Sequence, residues 1–142
     1  TEIALRDAGV SGAVLAYCDR MELAYSAADL ALCRGGAGTV AELTATGTPA
    51  VILPYPHHKD RQQYHNAAAL VSEGAAVIVE DRCDANQNAE ALRTTVLPIL
   101  RNLESLHQMQ SRAKTASKSS AAMDIAQWMV EGIENSELGI GD

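Results

Sequence analysis

The chain has 142 residues, with 11 Lys+Arg against 18 Asp+Glu, a formal net charge of -7 and 47% hydrophobic residues. That size and apolar content suit one folded domain with a real core and exclude wholesale disorder. No apolar run reaches the ~20 residues of a membrane-spanning helix, and the acidic balance argues against a nucleic-acid partner, which needs a basic footprint. The three cysteines, Cys18, Cys33 and Cys83, are odd in number and lack zinc-ligand spacing. They read as reduced thiols, with Cys33 a small core hydrophobe.

Four short, continuous apolar runs predict strands buried on both faces: Ala13–Ala16, Asp29–Cys33, Ala50–Leu53 and Ala75–Val79. Helical patterns lie between them, over Met21–Ala28, Thr39–Thr46 and Arg61–Glu73. The last two stop at Gly47 and Gly74, since glycine just past a helix end is a stop signal. Strands alternating with helices imply right-handed crossovers and a parallel sheet covered on both sides. Beyond Glu80 the pattern turns helical, over Asn86–Leu97, Ile99–Lys118 and Ser120–Ile133, with Pro98 expected to break or kink the run. The expected organisation is a partial binding domain over 1–133, with its C-terminal helices from about 86, and a loose polar tail over 134–142.

Three segments at strand ends could carry chemistry. The first is Cys33-Arg34-Gly35-Gly36-Ala37-Gly38-Thr39-Val40-Ala41-Glu42, a strand–turn–helix junction. A helix N-terminus with glycines offers unpaired amides, a positive dipole end and close backbone approach, which suit phosphate. Thr39 and Glu42 share a helix face, and an ionised carboxylate can accept two hydrogen bonds from a ribose diol. Thr39-x-x-Glu42 also reads as a capping box serving only its own helix end. Gly36-x-Gly38-x-x-Ala41 formally matches a dinucleotide fingerprint, but no acid follows the next strand, which ends Pro54-Tyr55-Pro56.

The second segment is His57-His58-Lys59-Asp60-Arg61-Gln62-Gln63-Tyr64-His65-Asn66-Ala67. Gln63 and Asn66 share a face and can bracket sugar hydroxyls without charge; Asp60 is a candidate cap. The bland alternative is a polar loop and a solvated first turn. Adjacent histidines rarely converge on one ion, so no metal site is expected. The third segment, Tyr17-Cys18-Asp19-Arg20-Met21, ends the first expected strand and could offer backbone groups to a planar base, or be an ordinary loop.

Together, from about Val14 to Glu80, these segments resemble the C-terminal half of the MurG family. The resemblance rests on Asp19-Arg20-Met21, Ala28-Asp29-Leu30, the Cys33–Glu42 junction, Gly47-Thr48-Pro49-Ala50 and His58–Ala67. It implies an α/β, Rossmann-like parallel sheet with helices on both faces, the C-terminal half of a GT-B glycosyltransferase, incomplete at its N-terminus. It further implies an inverting transferase that moves N-acetylglucosamine from UDP-N-acetylglucosamine to a lipid-linked muramyl peptide, forming lipid II for peptidoglycan, without a metal or other cofactor. By position, Cys18 would meet uracil through its backbone. Ala37, Gly38 and Thr39 would face the diphosphate, with Val40 and Ala41 beside them. Glu42 would take the ribose hydroxyls, and Gln62, Gln63 and Asn66 would reach the sugar and phosphate. No catalytic residue is expected in this chain: the resemblance puts the base, the undecaprenyl-linked acceptor and the membrane-facing patch with an N-terminal acceptor domain. The full-length protein would be cytoplasmic, peripheral on the inner face of the bacterial membrane. Two alternatives stand beside this reading. One is the donor domain of another UDP-sugar glycosyltransferase, such as a glycolipid synthase. The other is a non-catalytic nucleotide-binding module.

Overall fold

A computed structural model describes residues 2–57, 59–116 and 126–133. Three parallel strands, β1 (Ala31–Cys33), β2 (Ala50–Ile52) and β3 (Ala76–Ile78), form one sheet in that order, with Ala31 opposite Ala50 and Ala50 opposite Ala76. The helices are α1 (Glu2–Asp7), α2 (Met21–Ala27), α3 (Ala37–Thr46), α4 (Gln62–Ser72), α5 (Ala85–Arg101) and α6 (Leu103–Ala116). Residues 126–133 are also helical, with Trp128 and Met129 exposed.

Helices pack on both sheet faces and β2 is buried throughout, as a continuous apolar run requires, but Leu32 of the edge strand β1 is 57% exposed, unlike a strand buried on both faces. On one face Ala50 and Ile52 pack with Leu43 of α3, Ala67 and Leu70 of α4, and Ala113 of α6. On the other, Val51 and Val79 pack with Ile99 of α5 and with Leu106 and Met109 of α6. The glycine stop after α3 is realised at Gly47 (φ 67°), whose amide donates to the carbonyls of Leu43 and Thr44. Gly74 (φ 69°) turns the chain from α4 into β3. Cys33 is half-buried against the first core cluster, and burial pushes its thiol pKa up.

Two expectations are corrected. Residues 13–16 form no strand. Leu15 is 70% exposed, and none of the three strands pairs with this run. An apolar run supplies propensity, but a strand also needs a neighbouring edge to bond its amides. Nor does Pro98 end its helix. α5 runs on to Arg101 and stops at Asn102, whose carbonyl and Oδ1 accept from the amides of Leu106 and Ser105. Proline removes one donor, while burial of Ile99 holds the last turn in place. The Asn102 side chain competes for backbone donors, and that competition is what terminates the run. The helix expected over Ser120–Ile133 is described only from 126, and the tail 134–142 lies outside the described residues.

Candidate functional site

Because the strands are parallel, their carboxyl ends share one rim, and both turns singled out above emerge there. Arg34, just past β1, ties the rim together. Its Nη1 donates to the carbonyls of Leu53 (3.1 Å) and Pro54 (3.4 Å) and to Asp81 Oδ2 (2.6 Å). Asp81 Oδ1 accepts from the Cys83 amide (2.9 Å) and from Asn88 Nδ2 (2.7 Å).

The Cys83 amide, the Asn88 amide group and the Arg34 guanidinium hold the Asp81 carboxyl at about 2, against an ordinary 3.8. A depressed carboxylate adds stability that is complete above its unfolded value and is lost as pH falls toward its folded value. The melting temperature should therefore fall between pH 4 and pH 2, and Asp81→Asn should flatten that fall. An unchanged slope in the variant would remove Asp81 from the acid response.

The second turn is stitched to the first. Gln63 Oε1 accepts from the amides of Gly35 (3.1 Å) and Tyr55 (2.8 Å), and Asn66 Nδ2 donates to the Gly35 carbonyl (3.0 Å). The Gln63 oxygen is thus engaged, which leaves its amide hydrogens for an oxygen acceptor. Gln62 is exposed at the first position of α4, where its own amide donates to Asp60 Oδ1 (3.2 Å). Arg61 stacks over the Tyr64 ring at 4.2 Å.

At the head of α3 the N-cap is Gly36, with no side-chain cap, and the Val40 amide donates to the Gly36 carbonyl (2.9 Å). The helix starts two residues earlier than its pattern predicts. Thr39 is therefore its third residue, not its cap, and the capping-box alternative is not realised. Ala37, Gly38 and Thr39 carry the first amides of α3, which have no acceptor within the helix. Val40 packs against the core, while Ala41 and Glu42 are exposed on the outer side.

Cys18 and Glu42 come together. A cleft of about 290 Å³ between α2 and α3 is lined by Tyr17, Cys18, Asp19, Met21, Glu22 and Glu42, among others. Its charged groups are all carboxylates, and Arg20 is already paired with Glu22 at 3.1 Å. Such a cleft disfavours phosphate and suits a neutral group rich in hydroxyl donors. An anion is better served at the head of α3, where the amides and the dipole converge. The arrangement offers adjacent places for a planar polar group with a diol and for a phosphate.

Sequence reasoning missed two contributors on this rim: Arg34 and Asp81. Arg34 and Asp81 are 47 positions apart, beyond any local pattern. Among the histidines, His57 meets Tyr55 edge-on (5.3 Å between ring centroids), with its Nε2 3.7 Å from Cys83 Sγ. His65 is exposed on α4, and His58 lies outside the described residues. Among the described residues no cluster of three His, Cys, Asp or Glu side chains could hold a metal ion.

Residues 6–127 match the model of the glycosyltransferase family 28 C-terminal domain. The chain belongs to this family. The family 28 match extends to curated relatives. A Haemophilus ducreyi protein named UDP-N-acetylglucosamine--N-acetylmuramyl-(pentapeptide) pyrophosphoryl-undecaprenol N-acetylglucosamine transferase is 42% identical over 118 residues, 83% of this chain and 32% of the relative. A Rhodococcus opacus protein of the same name is 43% identical over 115 residues, 81% of this chain and 29% of that one. The crystal structure of Acinetobacter baumannii MurG superposes with a TM-score of 0.71 at 30% identity, covering 86% of this chain and 36% of that one. This family 28 chain thus spans about a third of the length of the relatives it matches. Its parallel sheet with flanking helices is the Rossmann-like half of a GT-B architecture.

Proposed function

We propose that this family 28 domain is the donor-binding part of an inverting N-acetylglucosaminyltransferase that takes UDP-N-acetylglucosamine and serves lipid II formation. One observation carries the reading: Cys18 and Glu42 line a single cleft, and α3, which carries Glu42, starts beside the Gly35 turn that Gln63 and Asn66 clamp. The relatives' names supply the substrate class.

In this reading the uracil lies against the Cys18 backbone and the ribose diol donates to Glu42. The diphosphate faces the amides of Ala37, Gly38 and Thr39, flanked by Val40 and Ala41. Gln63 donates to a sugar or phosphate oxygen, with Gln62 and Asn66 beside it. The acceptor hydroxyl of the undecaprenyl-linked muramyl peptide, deprotonated by a base in a partner N-terminal acceptor domain, attacks the anomeric carbon. The bond to the diphosphate breaks and UDP leaves. This domain contributes positioning and, at α3, stabilisation of the charge that grows on the diphosphate. No cofactor enters the scheme, and membrane contact at the inner bacterial face falls to the acceptor part. Among the described residues no helix is long and apolar enough to cross a membrane.

Calorimetry on the chain should show heat of binding for UDP-N-acetylglucosamine, undiminished by a metal chelator, and none for NAD. Binding of NAD in preference would overturn the donor assignment. Loss of binding on chelation would introduce a metal.

A further inference from the structure

Among the described residues one polar side chain is buried: Thr48, 2% exposed, in the Gly47-Thr48-Pro49 link from α3 to β2. Its backbone is fixed on both sides. Its amide donates to the Leu43 carbonyl (3.0 Å), and the Pro49 carbonyl accepts from the Ala31 amide of β1 (2.9 Å). From that fixed point the Thr48 hydroxyl donates to the Tyr25 carbonyl of α2 at 2.8 Å and lies 2.7 Å from the Thr46 hydroxyl. Two hydroxyls that close share a hydrogen. The Thr48 hydrogen goes to Tyr25, so Thr46 supplies the shared one. Thr46 also lines the cleft that holds Cys18 and Glu42.

We propose that Thr48 is a positioning residue for the nucleotide cleft: its hydroxyl pins α2 at Tyr25 and α3 at Thr46, and so sets how far Met21 and the Cys18 turn stand from Glu42. This deepens the donor-binding reading and rests on it. α2 has little burial to hold it in place. It has seven residues, none of them buried, and no side chain caps its first turn. A helix that short is not stable alone, and a helix with no buried residue draws little from the hydrophobic effect. Tyr25 supplies partial burial against the first core cluster, and the Thr48 bond fixes the same residue through its backbone. Tyr25 stands about one turn along α2 from Met21, which lines the cleft, so a shift at the pin carries to the cleft wall. Threonine suits the task. Its branched side chain is stiff at χ1, and its hydroxyl can donate to one element while accepting from another.

The test compares the unmodified full chain with Thr48→Val and Thr48→Ser. Valine keeps the shape and strands no polar group: Thr46 can turn its hydrogen to the Glu42 carbonyl at 2.8 Å, and the Tyr25 carbonyl keeps the Ala28 amide at 3.1 Å. Should valine nonetheless fail to fold, Thr48→Ala makes the same comparison, since water can then reach the carbonyl. Hydrogen exchange reads the pin itself. In Thr48→Val the hydrogen-bonded amides of α2 should exchange several-fold faster while those of α4 do not change, and serine should restore the slower rate. Titration followed by amide chemical shifts reads the consequence with two probes: UDP, which fills the cleft and the head of α3, and inorganic pyrophosphate, which meets the head of α3 alone. Thr48→Val should weaken UDP roughly three- to tenfold, the worth of one hydrogen bond, and leave pyrophosphate unchanged. Equal acceleration in α2 and α4, or equal weakening of both probes, would reduce Thr48 to general support of the fold and overturn the proposal. So would unchanged UDP affinity in Thr48→Val. Should the unmodified chain bind no UDP, the donor reading falls and the positioning role with it; selective exchange in α2 would then leave Thr48 a pin for that helix and nothing more.

Discussion

Gly35→Ala should be the most damaging single substitution on the rim. A Cβ at Gly35 would stand 2.6 Å from the Gln63 carbonyl oxygen and 3.1 Å from Gln63 Cβ. The first of these atoms is helix backbone, which cannot swing aside. Overpacking of this kind costs roughly 1–3 kcal/mol. The displacement would also pull the Gly35 amide and carbonyl away from Gln63 and Asn66, which hold the two turns in register. Thermal melting should drop by several degrees, and donor binding should be lost even where the domain remains folded. Gly38→Ala is the internal control. A Cβ there meets nothing within 4 Å, and alanine is a better helix former by up to about 1 kcal/mol. Because position 38 itself faces the diphosphate in this reading, the comparison is made on melting alone, which should be slightly raised. Equal damage from both variants would mean that close contact with α4 is not what requires glycine at Gly35.

Glu42→Ala should give the largest loss of affinity without loss of stability. Glu42 is exposed and caps nothing in its own helix, so truncation leaves the fold intact. Hydrogen bonds to a charged group are worth about 1.5–3 kcal/mol, or roughly ten- to hundredfold in affinity. Titration calorimetry with UDP-N-acetylglucosamine measures the effect directly. In a transfer assay with the full-length protein the same loss should fall on the donor KM. Retained affinity would detach the carboxylate from the ribose.

How much of this was legible in the sequence follows from the range of the forces involved. The three strands were readable because each lies in a short continuous apolar run, although only β2 is buried throughout. Gly47 and Gly74 were readable because a left-handed turn is a local backbone demand. Residues 13–16 carry the same apolar signal as β1, yet form no strand, because pairing depends on an edge that the run itself does not specify. Pro98 misled for a related reason. A local rule predicts a break or a kink there; the break is not realised, because packing of Ile99 against the sheet holds the helix, and the stop falls to Asn102 instead.

At the site, Ala37–Glu42 and Gln63 stood out by spacing and chemistry. The early start of α3 at Ala37, which rules out the capping box, turns on the extended conformation of Gly36, and composition does not reveal that. Arg34 and Asp81 were invisible for a different reason: they act across elements distant in sequence. Arg34 lay inside the glycine-rich segment from the start, but its partners follow β2 and β3.

The central claim is that the α2–α3 cleft and the head of α3 together bind one uridine diphosphate sugar. Amide chemical-shift mapping of the chain during titration with UDP-N-acetylglucosamine tests it most directly. The account predicts the largest shifts at Cys18, at Ala37, Gly38 and Thr39, and in the side-chain amide of Gln63. Shifts centred instead on the separate groove of about 540 Å³ along α5, at Arg82, Asn86 and Gln87, would contradict it.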